Sequence, residues 1–154
     1  GRGAGADDEA LARKLRIVET AAPRARARLD REPTAAIAEV AGFEIAAMCG
    51  FYREAARLGL TIVLDGVIAT AAALIAERLQ PGTVDSLIAA HASAEPAHAP
   101  MLATLGLTPL LSDWGMRLGE GTGALVAFPL LDAAAAMISE METLDDALAG
   151  DAGP

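Results

Sequence analysis

The sequence predicts an α/β protein with a parallel sheet of about three strands. Three short apolar runs, at 60–64, 86–90 and 107–111, have the length and composition of buried strands. Helical patterns separate these runs and follow the last one, which is the order typical of a parallel α/β chain. We expect the sheet to be incomplete, because the chain lacks an initiator Met and opens abruptly on Gly-Arg-Gly.

The length, charge and composition of the chain exclude several classes of protein. The 154 residues suffice for one domain, and the net charge of −9 argues against a nucleic-acid partner. Cys49 is the single cysteine, which excludes an internal disulfide and suits a cytoplasmic location. No run of about 18 uncharged apolar residues is present, so we expect no membrane partner. The longest candidate, 124–138, contains Pro129 and Asp132 and is predicted to be a buried helix.

Acidic residues at a helix start and apolar residues at helical spacing predict the first helices. A helix is predicted to open on the acidic residues 7–9, and its apolar stripe ends at Ala22. Residues 23–33 are rich in arginine and contain two prolines, so we expect a solvated connection or a short helix. Thr34 is the predicted N-cap of the next helical segment.

Glycine and proline mark the limits of the later helices. Gly42 predicts a break or a close helix approach, and Gly59 a helix end. Four further helices are predicted, at 43–58, 67–79, 95–106 and 123–142. Pro129 should kink the last of these. The chain thus divides into a glycine loop with the first helix (1–33), the main part of the domain (34–143) and a flexible acidic tail (144–154).

Polar residues follow two of the predicted strands. Asp65-Gly66 comes after the first strand, and His91 and Ser93 come after the second. Because ligands bind beyond the carboxyl ends of parallel strands, we expect these residues at one edge of the sheet. Asp65 could instead cap the following helix, and Ser93 could cap a helix or bind a ligand. His91 and His98 lack the cysteines or acids that would complete a metal site, so none is predicted.

Two glycine-rich segments are candidates for ligand contacts. The first, 1–5, precedes a helix that contains Lys14, so it is either a phosphate-binding loop or an ordinary linker. The second places Glu120 between Gly119 and Gly121, directly before an apolar helix. Glycine allows close backbone approach, and a helix start attracts an anion. The alternative for Glu120 is a solvated loop acid.

Four segments in this order resemble the C-terminal half of the nicotinate-nucleotide–dimethylbenzimidazole phosphoribosyltransferases. They are Gly-Phe-Glu-Ile-Ala-Ala-Met (42–48), Leu-Asp-Gly-Val-Ile-Ala-Thr-Ala-Ala-Ala-Leu (64–74), His-Ala-Ser-Ala-Glu-Pro-Ala-His (91–98) and Arg-Leu-Gly-Glu-Gly-Thr-Gly-Ala (117–124). The opening Gly-Arg-Gly-Ala-Gly is also similar to a segment of that family. The resemblance covers residues 1–143.

The resemblance implies a Rossmann-like parallel sheet with a small helical part, in a homodimer without a cofactor. It implies transfer of phosphoribose from nicotinate mononucleotide to 5,6-dimethylbenzimidazole, a step in the assembly of the cobalamin lower ligand. Glu120 matches the family's general base. The residues that match the family's substrate contacts are Gly3, Lys14, Asp65, Gly66, Ser93 and the two glycines beside the base, Gly119 and Gly121.

Some positions depart from the family pattern. Ala4 replaces the usual threonine of the glycine loop, which removes a hydroxyl near the expected phosphate. The family's N-terminal half, which supplies most of the benzimidazole pocket and a second acid, is absent, so we expect no turnover from residues 1–154 alone. The alternatives are a non-catalytic nucleotide-binding or regulatory module and a helical interaction domain.

Overall fold

The computed structural model describes residues 5–150, in which helices surround a small parallel sheet. The helices are α1 (Asp8–Arg28), α2 (Pro33–Ala38), α3 (Phe43–Arg57), α4 (Val67–Leu79), α5 (His98–Leu105), α6 (Thr122–Glu140) and α7 (Leu144–Gly150). The strands are β1 (Ile62–Leu64) and β2 (Leu87–Ala89), and a 3-10 turn at Thr83–Ser86 leads into β2. The predicted α/β class with a parallel sheet is confirmed.

The described sheet has two strands, not three. β1 and β2 pair in parallel, with Ile62 opposite Leu87 and Leu64 opposite Ala89. The predicted third strand at 107–111 is reduced to a parallel bridge between His91 and Leu111. Pro109 within this segment has no N–H to donate to a sheet ladder, which explains why pairing is confined to the segment's end.

The first helix is longer than its apolar stripe. Asp7 caps α1 by accepting a hydrogen bond from the Ala10 N–H at 2.8 Å, as the acidic start predicts. The helix then continues through Pro23 to Arg28, so the predicted connection at 23–33 is wrong over its first half. Proline in a helix interior removes one N–H bond and clashes with the carbonyl four residues earlier, but its fixed φ is close to the helical value, and α1 continues through Pro23. The predicted N-cap at Thr34 is also wrong, because Glu32 precedes a helix that begins at Pro33.

The core lies between α3, α4 and the sheet, and alanine supplies much of it. Leu64 on β1 and Ala72, Ala73 and Ala76 on α4 are fully buried. Ala55 on α3 is 4% exposed and belongs to the same cluster. Small side chains let the two helices approach each other closely, and the predicted helices at 43–58 and 67–79 are confirmed to within one residue.

Helix α6 is mostly exposed, so the prediction of a buried helix at 124–138 is wrong. Leu125 is 69% exposed and Ile138 is 87% exposed, whereas burial within α6 is confined to Gly123 and Ala127. By length and composition α6 could cross a membrane, although it contains Pro129 and Asp132. No described helix or strand packs extensively on its apolar face.

The segment 144–154, predicted to be a flexible tail, begins with a helix. α7 occupies much of the segment predicted to be a flexible tail, and its first turn contains Asp145 and Asp146, which complement the positive end of the helix. Residues 151–154 lie outside the described part of the chain.

Enlarging a buried alanine should destabilise the α3–α4 contact. Ala55→Leu adds three carbons at a site that is 4% exposed, so we expect the free energy of unfolding to fall by about 1–3 kcal/mol. Ala47→Leu on the exposed face of α3 is the matched control and should change it by less than about 0.5 kcal/mol. Urea titration measures both, and equal effects would contradict the described packing.

Candidate active site

A cavity of about 730 Å³ opens at the carboxyl ends of the two strands. Its walls come from α3, the β1–α4 turn, the loop after β2 and the segment before α6. The predicted site residues in its lining are Asp65, Gly66, Ser93, Gly119, Glu120 and Gly121. The structure therefore brings Asp65 and Ser93 to one edge, as the strand-end argument predicts, and adds the segment 119–121, which lies more than 50 positions after Asp65 in the chain.

The other two predicted contacts are not part of this lining. Lys14 lies on an exposed face of α1, outside the cavity wall. Gly3 and the neighbouring Ala4 lie outside the described residues. A phosphate-binding role for the segment 1–14 stays a prediction.

Asp65 holds the first turn of α6. Its Oδ1 atom accepts hydrogen bonds from the backbone N–H groups of Gly123 at 2.7 Å and Ala124 at 3.2 Å. Its Oδ2 atom accepts one from the Gly121 N–H at 3.3 Å. A carboxylate at a helix N-terminus satisfies orphan donors and interacts favourably with the helix dipole.

This placement revises two sequence-based interpretations. Asp65 caps a helix, but the helix is α6 rather than the following α4, whose N-cap is Gly66 without a side-chain hydrogen bond. The start of α6 was also expected to attract an anionic ligand. Asp65 and the Gly119 carbonyl already occupy its N–H groups, so this helix start does not offer them to an anionic ligand.

Glu120 adopts a left-handed backbone conformation. Its φ of 62° is the one positive value among the described non-glycine residues, and Gly121 follows with φ of 79°. A side chain in this region costs of order 1–3 kcal/mol and persists only where the surroundings impose it. The Thr122 N–H and hydroxyl both donate to the Gly119 carbonyl, which closes the turn around Glu120.

The Glu120 side chain is exposed to the cavity, and its carboxylate forms no hydrogen bond with any described residue. The flanking glycines and Asp65 thus constrain the backbone and leave the carboxylate without a hydrogen-bond partner among the described residues. This geometry excludes a structural hydrogen-bonding role there, and it is shared by a general base and by a solvated loop acid.

A buried network connects the two strand ends. The Ser93 N–H donates to His98 Nδ1 at 2.8 Å, and His98 Nε2 lies 2.9 Å from Thr70 Oγ1. The Thr70 hydroxyl donates to the Gly66 carbonyl at 2.9 Å. Since Nδ1 accepts, the ring proton belongs on Nε2, which donates to Thr70. The Ser93 hydroxyl accepts from the Glu95 N–H at 3.2 Å, which closes a turn. The predicted helix-capping alternative for Ser93 is wrong, because α5 begins at His98 with Ala97 as its N-cap.

Helix α3 contributes a wall that sequence analysis did not identify. Glu44, Met48 and Tyr52 line the cavity and are spaced four residues apart, which places them on one helix face. Burial, and then the negative charge of Asp65, raise the pKa of the Tyr52 hydroxyl. The four-residue spacing was visible in the sequence, but it could not show which face α3 turns toward the strand ends.

The charge of the lining is predominantly negative. Four acids contribute to it, namely Glu44, Asp65, Glu95 and Glu120. Arg117 is the one cationic side chain among the lining residues. Arg117 begins the segment 117–124 that carries the family resemblance, but the sequence alone gives it no predicted role. An anionic substrate group would be attracted to this side of the cavity.

A family model for phosphoribosyltransferases matches residues 1–148. The chain belongs to this family. It is 49% identical to the nicotinate-nucleotide–dimethylbenzimidazole phosphoribosyltransferase of Chromobacterium violaceum, over 96% of this chain and 42% of the relative. It is 50% identical to the enzyme of the same name from Desulforudis audaxviator, over 96% of this chain and 41% of the relative.

A solved structure agrees with these matches. The chain superposes on the crystal structure of CobT from Thermus thermophilus with a TM-score of 0.83 and 46% sequence identity. The match covers 96% of this chain and 43% of that one. The family resemblance is therefore confirmed, and the chain spans about two fifths of the length of these relatives.

The buried His98 ring should make folding sensitive to acid. Burial lowers the pKa of His98, the neighbouring His91 lowers it further, and Asp65 opposes both. The unfolded chain therefore binds a proton at higher pH than the folded chain. The free energy of unfolding should be unaffected by His98 above its unfolded pKa of about 6.5 and should fall as pH decreases below it.

Urea titrations between pH 8 and 5 test this expectation. His98→Gln, which cannot titrate, should flatten the acid limb by up to about 1.4 kcal/mol per pH unit, the limit for one proton. Identical pH profiles for the variant and the unmodified chain would show that His98 is not responsible.

Proposed function

We propose that the chain is the part of a nicotinate-nucleotide–dimethylbenzimidazole phosphoribosyltransferase that contains its general base. The enzyme would transfer phosphoribose from nicotinate mononucleotide to 5,6-dimethylbenzimidazole, giving α-ribazole 5′-phosphate and nicotinate. The names of the relatives support this reaction. The observation that carries the proposal is the strained Glu120, whose carboxylate has no described hydrogen-bond partner within the strand-end cavity.

The reaction requires one bond to form and one to break at C1′ of the ribose. A benzimidazole nitrogen donates its electron pair to C1′, and the bond from C1′ to the nicotinate nitrogen breaks with its electrons leaving on nicotinate. The other benzimidazole nitrogen then has to lose its proton. Glu120 would accept this proton, a contribution typically worth about 10²–10⁴ in rate.

The cavity also provides groups that could orient the nucleotide. Arg117 offers the cationic contact for the 5′-phosphate, since Asp65 already occupies the N–H groups at the start of α6. The Ser93 hydroxyl can still donate a hydrogen bond while it accepts from Glu95. The family resemblance adds Gly3 and Lys14 to the phosphate contacts.

The remaining partners are proposals of the same kind. The exposed apolar face of α6 supports the expected homodimer, since such a face is stable only when another surface covers it. A cytoplasmic location, and action without a cofactor, a membrane or nucleic acid, stay predictions.

Replacing the proposed base should abolish most of the activity. In the chain extended to the length of its relatives, Glu120→Gln should lower kcat by about 10²–10⁴ because the proton acceptor is lost. Binding of nicotinate mononucleotide should change by only a few-fold. Glu140→Gln, exposed at the far end of α6, is the matched control and should leave both unchanged. A loss of only a few-fold in kcat with Glu120→Gln would refute the assignment.

Residues 1–154 alone are expected to produce no α-ribazole 5′-phosphate, because the resemblance places most of the benzimidazole pocket in the remainder of the relatives' length. Product from this chain alone would overturn that expectation. Calorimetric titration with nicotinate mononucleotide separates the alternatives. Binding without turnover, even in the extended chain, would favour a nucleotide-binding module over an enzyme.

A further inference from the structure

His91 is buried directly behind the cavity and is not among the residues that line it. It follows β2, is bridged to Leu111 and has no exposed surface. Neither of its ring nitrogens has a hydrogen-bond partner among the described residues. A buried polar group of this kind requires an explanation, because nearly all such groups in folded proteins are paired.

The ring lies against the two glycines that adjoin Asp65. A Cβ on Gly123 would lie 2.1 Å from His91 Nδ1, and a Cβ on Gly66 would lie 3.7 Å from the ring carbon Cε1. His91 therefore fixes the separation between the β1–α4 turn and the first turn of α6. Only glycine at position 123 leaves room for the ring.

The nearest charged atom to the ring is on Asp65. His91 Nδ1 lies 3.9 Å from Asp65 Oδ1, which is beyond hydrogen-bond distance. Oδ1 already accepts from the N–H groups of Gly123 and Ala124, whereas Oδ2 accepts only from the N–H of Gly121. Since each carboxylate oxygen has about two acceptor sites, the site left on Asp65 for a further donor is on Oδ2.

We propose that His91 is a positioning residue for the general base, and that it donates a hydrogen bond from Nδ1 to Asp65 in the nucleotide-bound enzyme. This inference rests on the proposed function. Asp65 holds the N–H groups of Gly121 and Gly123, which bracket the turn that follows Glu120. Fixing the Asp65 carboxylate thus fixes the direction of the Glu120 side chain, without any contact between His91 and substrate.

Two substitutions separate hydrogen bonding from packing. His91→Leu fills a similar volume without a donor, whereas His91→Asn keeps an N–H donor close to the position of Nδ1. In the chain extended to the length of its relatives, His91→Leu should lower kcat by about 10–100-fold, because small misplacements of a catalytic group have effects of this size. The KM for nicotinate mononucleotide should change by less than about threefold, and His91→Asn should recover most of kcat.

A double variant tests the route through Asp65. Asp65→Ala, which leaves no acceptor, combined with His91→Leu should lower kcat little more than Asp65→Ala alone, since both remove the same hydrogen bond. Additive losses, or a His91→Asn variant as slow as His91→Leu, would overturn the proposal.

A spectroscopic measurement decides the question independently of turnover. In ¹⁵N-labelled extended protein with nicotinate mononucleotide added, the His91 ring should show its proton on Nδ1, with a hydrogen-bonded shift that Asp65→Ala removes. A proton on Nε2 alone would overturn the inference. If the unmodified protein shows this Nδ1 signal but no phosphoribosyl transfer, the proposed function fails while the His91–Asp65 hydrogen bond stands.

Discussion

The hydrogen bonds from the first turn of α6 to the Asp65 carboxylate join the two parts of the site. One part is the end of β1, and the other is the loop that presents Glu120. The bonds to Gly123 and Ala124, at 2.7 and 3.2 Å, place a negative charge at the positive end of a helix. Without them the segment 119–123 would have neither its position relative to the sheet nor a reason to retain a left-handed glutamate.

The described sheet is too small to organise this site by itself. Each strand has three residues, so the strand ends are held by side-chain hydrogen bonds to the backbone instead of by a long ladder. His98 and Thr70 connect the loop after β2 to the turn after β1, and Asp65 connects that turn to α6. Two histidines, His91 and His98, are buried beside these hydrogen bonds. His91 has no hydrogen-bond partner in the described structure.

Helix α6 and the core differ in how completely the described residues cover their apolar side chains. The chain matches relatives over about 42% of their length, and its described residues leave an apolar helix face largely uncovered. The α3–α4–sheet core, by contrast, is closed by its own alanines and leucines. The candidate base therefore stands on a self-contained core, beside a surface suited to a partner.

The sequence by itself determined the elements whose signals are local. Apolar spacing and glycine stops placed α3 and α4 to within a residue, and the strand-end rule brought Asp65 and Ser93 to one edge. Prediction from sequence failed in three places: α1 continues through Pro23, the segment 107–111 pairs only at its end because Pro109 interrupts it, and no described element covers the apolar face of α6. Only the tertiary structure revealed that Asp65 caps a helix 58 residues away. A carboxylate can accept hydrogen bonds only from the N–H donors that the fold brings within about 3 Å of it.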